Sequence, residues 1–365
     1  MSYNHNVLEG LHVHGGSPCR DMKRLGIDVE HVRDFSVSIS PFGPPEEIRA
    51  AWSQLIEEIA DYPDVEGQGL VDFLSKKYGI DPDRVIAGNG STELIYLVPR
   101  ALRLKRAVVP VPSFSDYHRA LNIAGTEIIP LVLSDTHGFS PPDYEKIAQV
   151  LKDAEALVIG NPNNPTGTIY PRDMIVRLAQ EYPEKWLIID EAFVQFLDNR
   201  EDVSLMSFTH RPHIIVLYSL TKFYALPGLR MGCAVAHRDV IAHLRRFKEP
   251  WTVNAIADKT AQILLQCRDY EEQLRRFTKK ERIRVFDKLK NLKGLRAFES
   301  RTNFFLSQWT KTNNLDDLLI CLLKQGIYVR DCRNFPGLEK NFFRFALCSE
   351  QDNNHLIHAL SECLS

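Results

Sequence analysis

Four stretches of this 365-residue chain combine the residue types that covalent chemistry on a small molecule needs. Lys222 lies in Ser219-Leu220-Thr221-Lys222-Phe223-Tyr224-Ala225-Leu226-Pro227-Gly228-Leu229-Arg230-Met231-Gly232, at the end of the apolar run HIIVLYS. An amine at the mouth of a buried strand is partly desolvated, which lowers its pKa toward the neutral nucleophile that imine formation requires. Ser219, Thr221 and Arg230 supply hydroxyl and guanidinium donors suited to one phosphate. In Gly88-Asn89-Gly90-Ser91-Thr92-Glu93, glycines let the backbone approach an anion and the helix start near Thr92 offers unpaired N–H groups. Taken alone, that stretch is equally a turn with a Ser/Thr helix cap. It is neither GxGxxG nor a Walker loop, which argues against a nucleotide.

The other two stretches follow apolar strands. In Asn161-Pro162-Asn163-Asn164-Pro165-Thr166-Gly167 two prolines fix the loop, so Asn164 can present its amide to a ring substituent, although the composition alone gives only a turn. Asp190-Glu191-Ala192 comes after WLII, and a carboxylate leaving an apolar strand is costly unless a cation meets it. A protonated pyridine nitrogen would be such a cation and would make its ring a stronger electron sink; a structural salt bridge is the rival.

The elements that position these residues are legible as periodicity. From about residue 46, helical patterns alternate with β-branched runs, which predicts a parallel sheet wrapped by helices. Strands are expected at Arg84–Ala87, Ala107–Val111, Glu127–Leu131, Ala156–Ile159, Trp186–Ile189, Ile214–Tyr218 and Gly232–Ala236. In such a sheet ligands sit beyond the carboxyl ends of the strands, where all four stretches fall. Pro250 marks a change of pattern, giving a large domain over 46–250. A long helical tract from Asn254 to about Leu292 then leads into a smaller α+β unit completing 251–365. That unit has expected strands Asn303–Gln308, Ile327–Arg330 and Phe342–Leu347 and helices Leu315–Gln325 and Gln351–Leu364. Residues 1–45, rich in Gly and Pro, are expected to pack on the other elements rather than fold alone.

Composition narrows the partners. The chain is 44% hydrophobic and 25% charged, and its 45 basic and 47 acidic residues leave a net charge of -2 with no long run of one sign. That excludes a nucleic-acid or membrane footprint and favours a small-molecule substrate. The N-terminus has no basic n-region or apolar h-region, which predicts a soluble, cytoplasmic protein. Seven cysteines without a CxxC pair suit reduced thiols better than a disulfide framework. His5, His12 and His14 have no nearby Cys partner, so no metal is expected.

NPNNPTG, IIDEAF and SLTKFYALPGLRMG, in that order, resemble the histidinol-phosphate aminotransferase and L-threonine-O-3-phosphate decarboxylase group of pyridoxal-5'-phosphate (PLP) enzymes of fold type I. The resemblance implies an α/β PLP-dependent transferase fold type I, with a mostly parallel seven-stranded sheet and a smaller C-terminal α+β domain. It implies that Lys222 carries the cofactor as a Schiff base, Asp190 pairs with the pyridine nitrogen and Asn164 faces the ring O3'. Gly90, Ser91, Ser219, Thr221 and Arg230 would hold the cofactor phosphate, and Phe114 would stack on the ring. Tyr62, in Asp61-Tyr62-Pro63-Asp64, resembles the tyrosine that reaches a neighbouring subunit's cofactor phosphate, implying a homodimer. Without the resemblance, Tyr62 reads as part of a turn and Phe114 as core.

The reaction depends on which Cα bond stands perpendicular to the cofactor ring: an upright Cα–H gives transamination, an upright carboxylate gives decarboxylation. The aminotransferases usually read DEAY where this chain reads Asp190-Glu191-Ala192-Phe193, so a tyrosine hydroxyl is missing. His14-Gly15-Gly16, Asp34-Phe35-Ser36 leading to Pro41-Phe42-Gly43, and Val329-Arg330-Asp331-Cys332-Arg333-Asn334-Phe335-Pro336-Gly337-Leu338 resemble the decarboxylases of cobalamin synthesis. By that resemblance Arg344 grips the substrate carboxylate, while Arg330, Arg333 and His14 are candidates for a substrate phosphate; solvated or domain-bridging arginines are the plainer alternative. The decarboxylases read DFSxNxNP where this chain has Ser36-Val37-Ser38-Ile39-Ser40-Pro41, which changes the contacts near Ser38. Serine phosphate therefore stands beside threonine phosphate as substrate, since one methyl is worth only about 1–3 kcal/mol of discrimination. Histidinol-phosphate transamination is the alternative enzyme reading. A ligand-sensing regulator ranks last, because the first 45 residues show no helix-turn-helix pattern.

Overall fold

A computed structural model describes residues 15–25 and 31–364. Helix α1 (Pro18–Leu25) and the short strand β1 (Arg33–Asp34) precede α2 (Glu46–Leu55) and α3 (Gln68–Tyr78). Strands and helices then alternate: β2 (Val85–Asn89), α4 (Gly90–Leu102), β3 (Arg106–Val111), α5 (Ser115–Ile123), β4 (Glu127–Val132), α6 (Tyr144–Leu151) and β5 (Ala156–Gly160). They continue with α7 (Arg172–Glu181), β6 (Trp186–Asp190), α8 (Arg200–Val203), β7 (Ile214–Ser219) and β8 (Met231–Val235). Strands β2 to β8 form one seven-stranded sheet in the order β2-β8-β7-β6-β5-β3-β4. Only β8 runs against its neighbours. All seven expected strands are present.

The sheet strands are apolar throughout because both faces are covered. Successive residues point to opposite sides. Leu157, Ile159, Leu187, Ile189 and Val216 enter one hydrophobic core, while Ala156, Val158, Ile188, Ile215 and Leu217 enter the other.

Helix α9 (Arg238–Arg245) closes this part of the chain. The single helical tract expected from Asn254 to Leu292 is broken: α10 (Ala255–Ile263) and α11 (Arg268–Leu289) are separated by a tight turn at Leu264–Gln266 and a non-helical Cys267, with φ -83° and ψ 37°. No Gly or Pro marks the break; Leu264 and Cys267 are held by the core, and that tertiary burial decides it.

Beyond α11 come β9 (Leu295–Ala297), β10 (Phe304–Trp309), α12 (Leu315–Lys324), β11 (Ile327–Tyr328), β12 (Arg330–Asp331), β13 (Phe342–Ala346) and α13 (Glu350–Leu364). The antiparallel order is β12-β13-β10-β9. The strand expected over Ile327–Arg330 divides: β11 pairs in parallel with β1, while β12 turns to β13. Residues 33–34 are thus stitched to this unit.

The expectation of reduced thiols fails for one pair. Cys321 of α12 and Cys363 of α13 form a disulfide, with Cα atoms 6.1 Å apart across 42 residues of sequence. Contact between the two helices brings them together, which spacing along the chain does not reveal. Cys19, Cys233, Cys267, Cys332 and Cys348 are free. Among the described residues no helix is long and apolar enough to cross a membrane.

Candidate active site

Five of the proposed residues line one cavity beyond the carboxyl ends of the strands: Ser91, Phe114, Asn164, Asp190 and Lys222, together with Thr92, Tyr117, Pro162, Ala192 and Phe193. Asp190 ends β6 and is 6% exposed. Its Oδ2 accepts from the Tyr117 hydroxyl at 2.8 Å and its Oδ1 from the Ala192 N–H at 3.0 Å. Burial raises its pKa, against the Tyr117 hydrogen bond and the charge of Lys222. A carboxylate so placed has a standing preference for a cation in the cavity.

Lys222 follows β7, half-buried, with Nζ 6.0 Å from the centre of the Phe193 ring. Burial lowers its pKa, Arg230 and Arg344 add to the effect, and Asp190 opposes it. The amine is therefore biased toward the neutral nucleophile.

Beside them lies a cradle made of backbone. Gly232 of β8 is the Cα partner of both Gly88 and Ser219, so β8 lies between β2 and β7 there. A Cβ on Gly232 would lie 2.1 Å from the backbone nitrogen of Ser91, so only glycine lets the start of α4 settle on the sheet. Gly90 has φ +75°, and a Cβ there would come 2.6 Å from Nη2 of Arg230. The Ser219 and Thr221 hydroxyls are 2.9 Å apart. A helix start, two hydroxyls and a guanidinium on adjoining elements are donors suited to an anion.

A second basic site sits on the small sheet. Arg330 of β12 and Arg344 of β13 are each 7% exposed. Arg344 hydrogen-bonds Asn164 Oδ1 and donates from Nη2 to the Ser36 carbonyl at 2.9 Å. Its pKa is lowered to about 10 by burial and by Arg330. Arg330 donates to the Asp331 carbonyl at 2.7 Å and to Asn334 Oδ1 at 2.9 Å. Ser38 is buried, with no hydrogen-bond partner for its hydroxyl among the described residues.

Other expected residues lie elsewhere. Arg333 is held by the Asp331 carboxylate and by Asp316 at 2.6 Å, so its guanidinium already has two anions. Tyr62 is 87% exposed, its ring 5.6 Å from that of Trp251. His14 lies outside the described residues. The sequence reading missed Tyr117, which holds Asp190; its place one helical turn after Phe114 was the available signal.

Residues 30–360 match the family described as aminotransferase class I and II. The chain belongs to this family. Among its relatives, threonine-phosphate decarboxylase of Salmonella typhimurium is 34% identical, over 96% of each chain. Histidinol-phosphate aminotransferase of Thermoanaerobacter pseudethanolicus is 31% identical, over 89% of this chain and 91% of its own. The crystal structure of L-threonine-O-3-phosphate decarboxylase from Porphyromonas gingivalis superposes with a TM-score of 0.78 at 26% identity, covering 90% of this chain and 99% of that one.

The cofactor of this family member is PLP. The residues present fit it on three counts: a buried carboxylate short of a cation, an amine of lowered pKa, and a glycine-lined anion cradle a side chain would fill.

Proposed function

We propose that this chain is a PLP-dependent decarboxylase that converts an O-phospho-amino acid, L-threonine-O-3-phosphate or L-serine-O-phosphate, to an aminoalkyl phosphate for cobamide assembly in the cytoplasm. The observation that carries the reading is the pair of buried arginines, Arg330 and Arg344, opposed on neighbouring strands beside the cofactor loop. Two buried guanidinium groups side by side favour a substrate with two anionic groups over a neutral one. The resemblance to threonine-phosphate decarboxylase supports it.

In this reading the cofactor supplies an electron sink conjugated to Cα. Lys222 would hold the cofactor, Asp190 would favour a protonated ring nitrogen, and Phe114 and Asn164 would line the ring. Gly90, Ser91, Ser219, Thr221 and Arg230 would hold its phosphate. Arg344, steadied by Asn164 and the Ser36 carbonyl, binds the substrate carboxylate; Arg330 and Ser38 face its phosphate. When carbon dioxide leaves, its bonding electrons stay on Cα and Lys222 returns a proton there. Phe193 cannot hydrogen-bond O3', unlike the tyrosine of the aminotransferases.

We also propose a homodimer with Tyr62 reaching the neighbouring subunit's site. Tyr62 and Trp251 pack ring against ring while exposed, and Trp52 and Ile59 are exposed as well, apolar surface a partner would cover. The division into residues 46–250 and 251–365, with 1–45 packed on both, belongs to the same reading.

The test is incubation of purified holoenzyme with each phosphate ester. Release of carbon dioxide and the matching aminoalkyl phosphate is expected; release from neither defeats the proposal. A keto-acid-dependent product with conversion of the cofactor to its amine form would establish the aminotransferase reading instead.

A further inference from the structure

The segment Phe35–Gly43 is pinned at both ends. Phe35 belongs to the small sheet: its N–H donates to the Tyr328 carbonyl, and its carbonyl accepts from Ala346 N–H, each at 2.8 Å. At the other end the Ser40 N–H donates to the carbonyl of Lys222 at 2.8 Å. Between them the Ser36 carbonyl accepts from Arg344. One short segment therefore connects the arginine proposed for the substrate carboxylate with the backbone of the proposed cofactor lysine.

Tyr270, near the start of α11, secures its far end. Its hydroxyl lies 2.8 Å from Ser40 Oγ, 2.9 Å from the Gly43 carbonyl and 3.1 Å from the Phe223 carbonyl. The phenol has one proton, and it is donated toward a cluster of three acceptors, of which Ser40 Oγ is the nearest. Burial pushes Tyr270 up to about 12, and the hydrogen bond with Ser40 opposes the rise. This gives a physical reason for serine at position 40, where the decarboxylases' motif DFSxNxNP has asparagine: its hydroxyl oxygen accepts from Tyr270 in a junction that joins the segment, the lysine loop and α11.

We propose that Tyr270 and Ser40 are a matched pair of positioning residues, which fix the segment carrying Ser36 and Ser38 against the Lys222 loop and so keep the substrate carboxylate in register with the reacting amine. The inference rests on Lys222 as the cofactor lysine. Neither residue touches the cavity that Lys222 lines.

The experiment compares wild type, Tyr270→Phe, Ser40→Ala, their double variant and Ser40→Thr. Amide hydrogen exchange is followed over residues 36–43 and 220–226 in apoprotein and holoenzyme, with kcat and KM measured separately. Each single hydroxyl deletion is expected to speed exchange of the Ser40 amide about tenfold, and the double variant no further. Exchange in β6 and β7 should be unchanged, kcat should fall more than KM rises, and Ser40→Thr should stay near wild type. Unchanged exchange at Ser40 in Tyr270→Phe, or simple additivity in the double variant, would overturn the pairing. If Tyr270→Phe does not fold, the contrast between Ser40→Ala and Ser40→Thr decides the matter alone. Failure of the Lys222 reading would show differently, as cofactor absorbance that survives Lys222→Ala, and the apoprotein exchange data do not depend on it.

Discussion

Arg330 and Arg344 are Cα partners on adjacent antiparallel strands, so their side chains leave the same face of the small sheet, and both are buried. Like charges so placed repel, and burial makes the repulsion harder to screen. A substrate anion bound beside them would be attracted by both guanidinium groups. Phosphate-bearing substrate should therefore raise the melting temperature of the apoprotein, by the equivalent of about 2.7 kcal/mol at a hundred times Kd. Arg330→Met and Arg344→Met should each abolish most of that rise and weaken substrate binding ~10- to 150-fold, the loss of one charge-assisted hydrogen bond. Calorimetry with and without the phospho-amino acid checks both; an undiminished rise in both variants would remove the anion site.

The lowered pKa of Lys222 has a definite sign in stability. Between its folded value and the ordinary 10.5, the unfolded chain binds the extra proton and the folded chain does not. Apoprotein stability should thus rise with pH across that window. Lys222→Met should flatten the rise and remove both cofactor absorbance and turnover, which urea titrations at several pH values and a spectrum will read.

Glu191 predicts the opposite slope. It is fully buried, accepts from Leu205 N–H and Ser204 Oγ at 2.6 Å each, and is raised by burial from 4.5 to about 7. The folded chain holds the proton in that interval and the unfolded chain has lost it, so stability should fall as pH climbs from 4.5 to 7. Glu191→Gln keeps an acceptor for Leu205 and should remove this contribution, visible as a shallower pH dependence of urea unfolding.

The two cradle glycines should fail in different ways. Gly232→Ala drives a Cβ into backbone at Ser91, which cannot move aside, and should destabilise the fold by about 3 kcal/mol. Gly90→Ala meets only the mobile end of Arg230, at the cost of about 1–2 kcal/mol for its positive φ. That variant should fold and lose cofactor affinity about tenfold, the price of a displaced guanidinium. Chemical denaturation and cofactor titration separate the two outcomes.

Tyr62→Phe keeps the ring that packs on Trp251 and removes only the hydroxyl. Dimerisation should persist while cofactor affinity falls about tenfold, one hydrogen bond to a phosphate. Sedimentation together with cofactor titration tests this; unchanged affinity would place Tyr62 outside the neighbouring site.

The sequence by itself determined the large sheet. Strands covered on both faces read as short apolar runs, and polar residues after them, Asn164, Asp190 and Lys222, mark the carboxyl edge where a ligand sits. Those signals are local, and local signals survive in one dimension. What only the tertiary structure decided depends on approach between distant segments. Cys267 interrupts a helix because the core claims it, without a breaker in the sequence. Cys321 meets Cys363 because two helices pack together. Arg333, one of three similar arginines on paper, is taken up by Asp331 and Asp316, whereas Arg330 and Arg344 are set opposite each other by strand register. Tyr117 and Tyr270 are ordinary aromatic residues until the fold places Asp190 against one and Ser40 against the other. Partner choice of this kind is settled by packing, and residue type alone does not encode it.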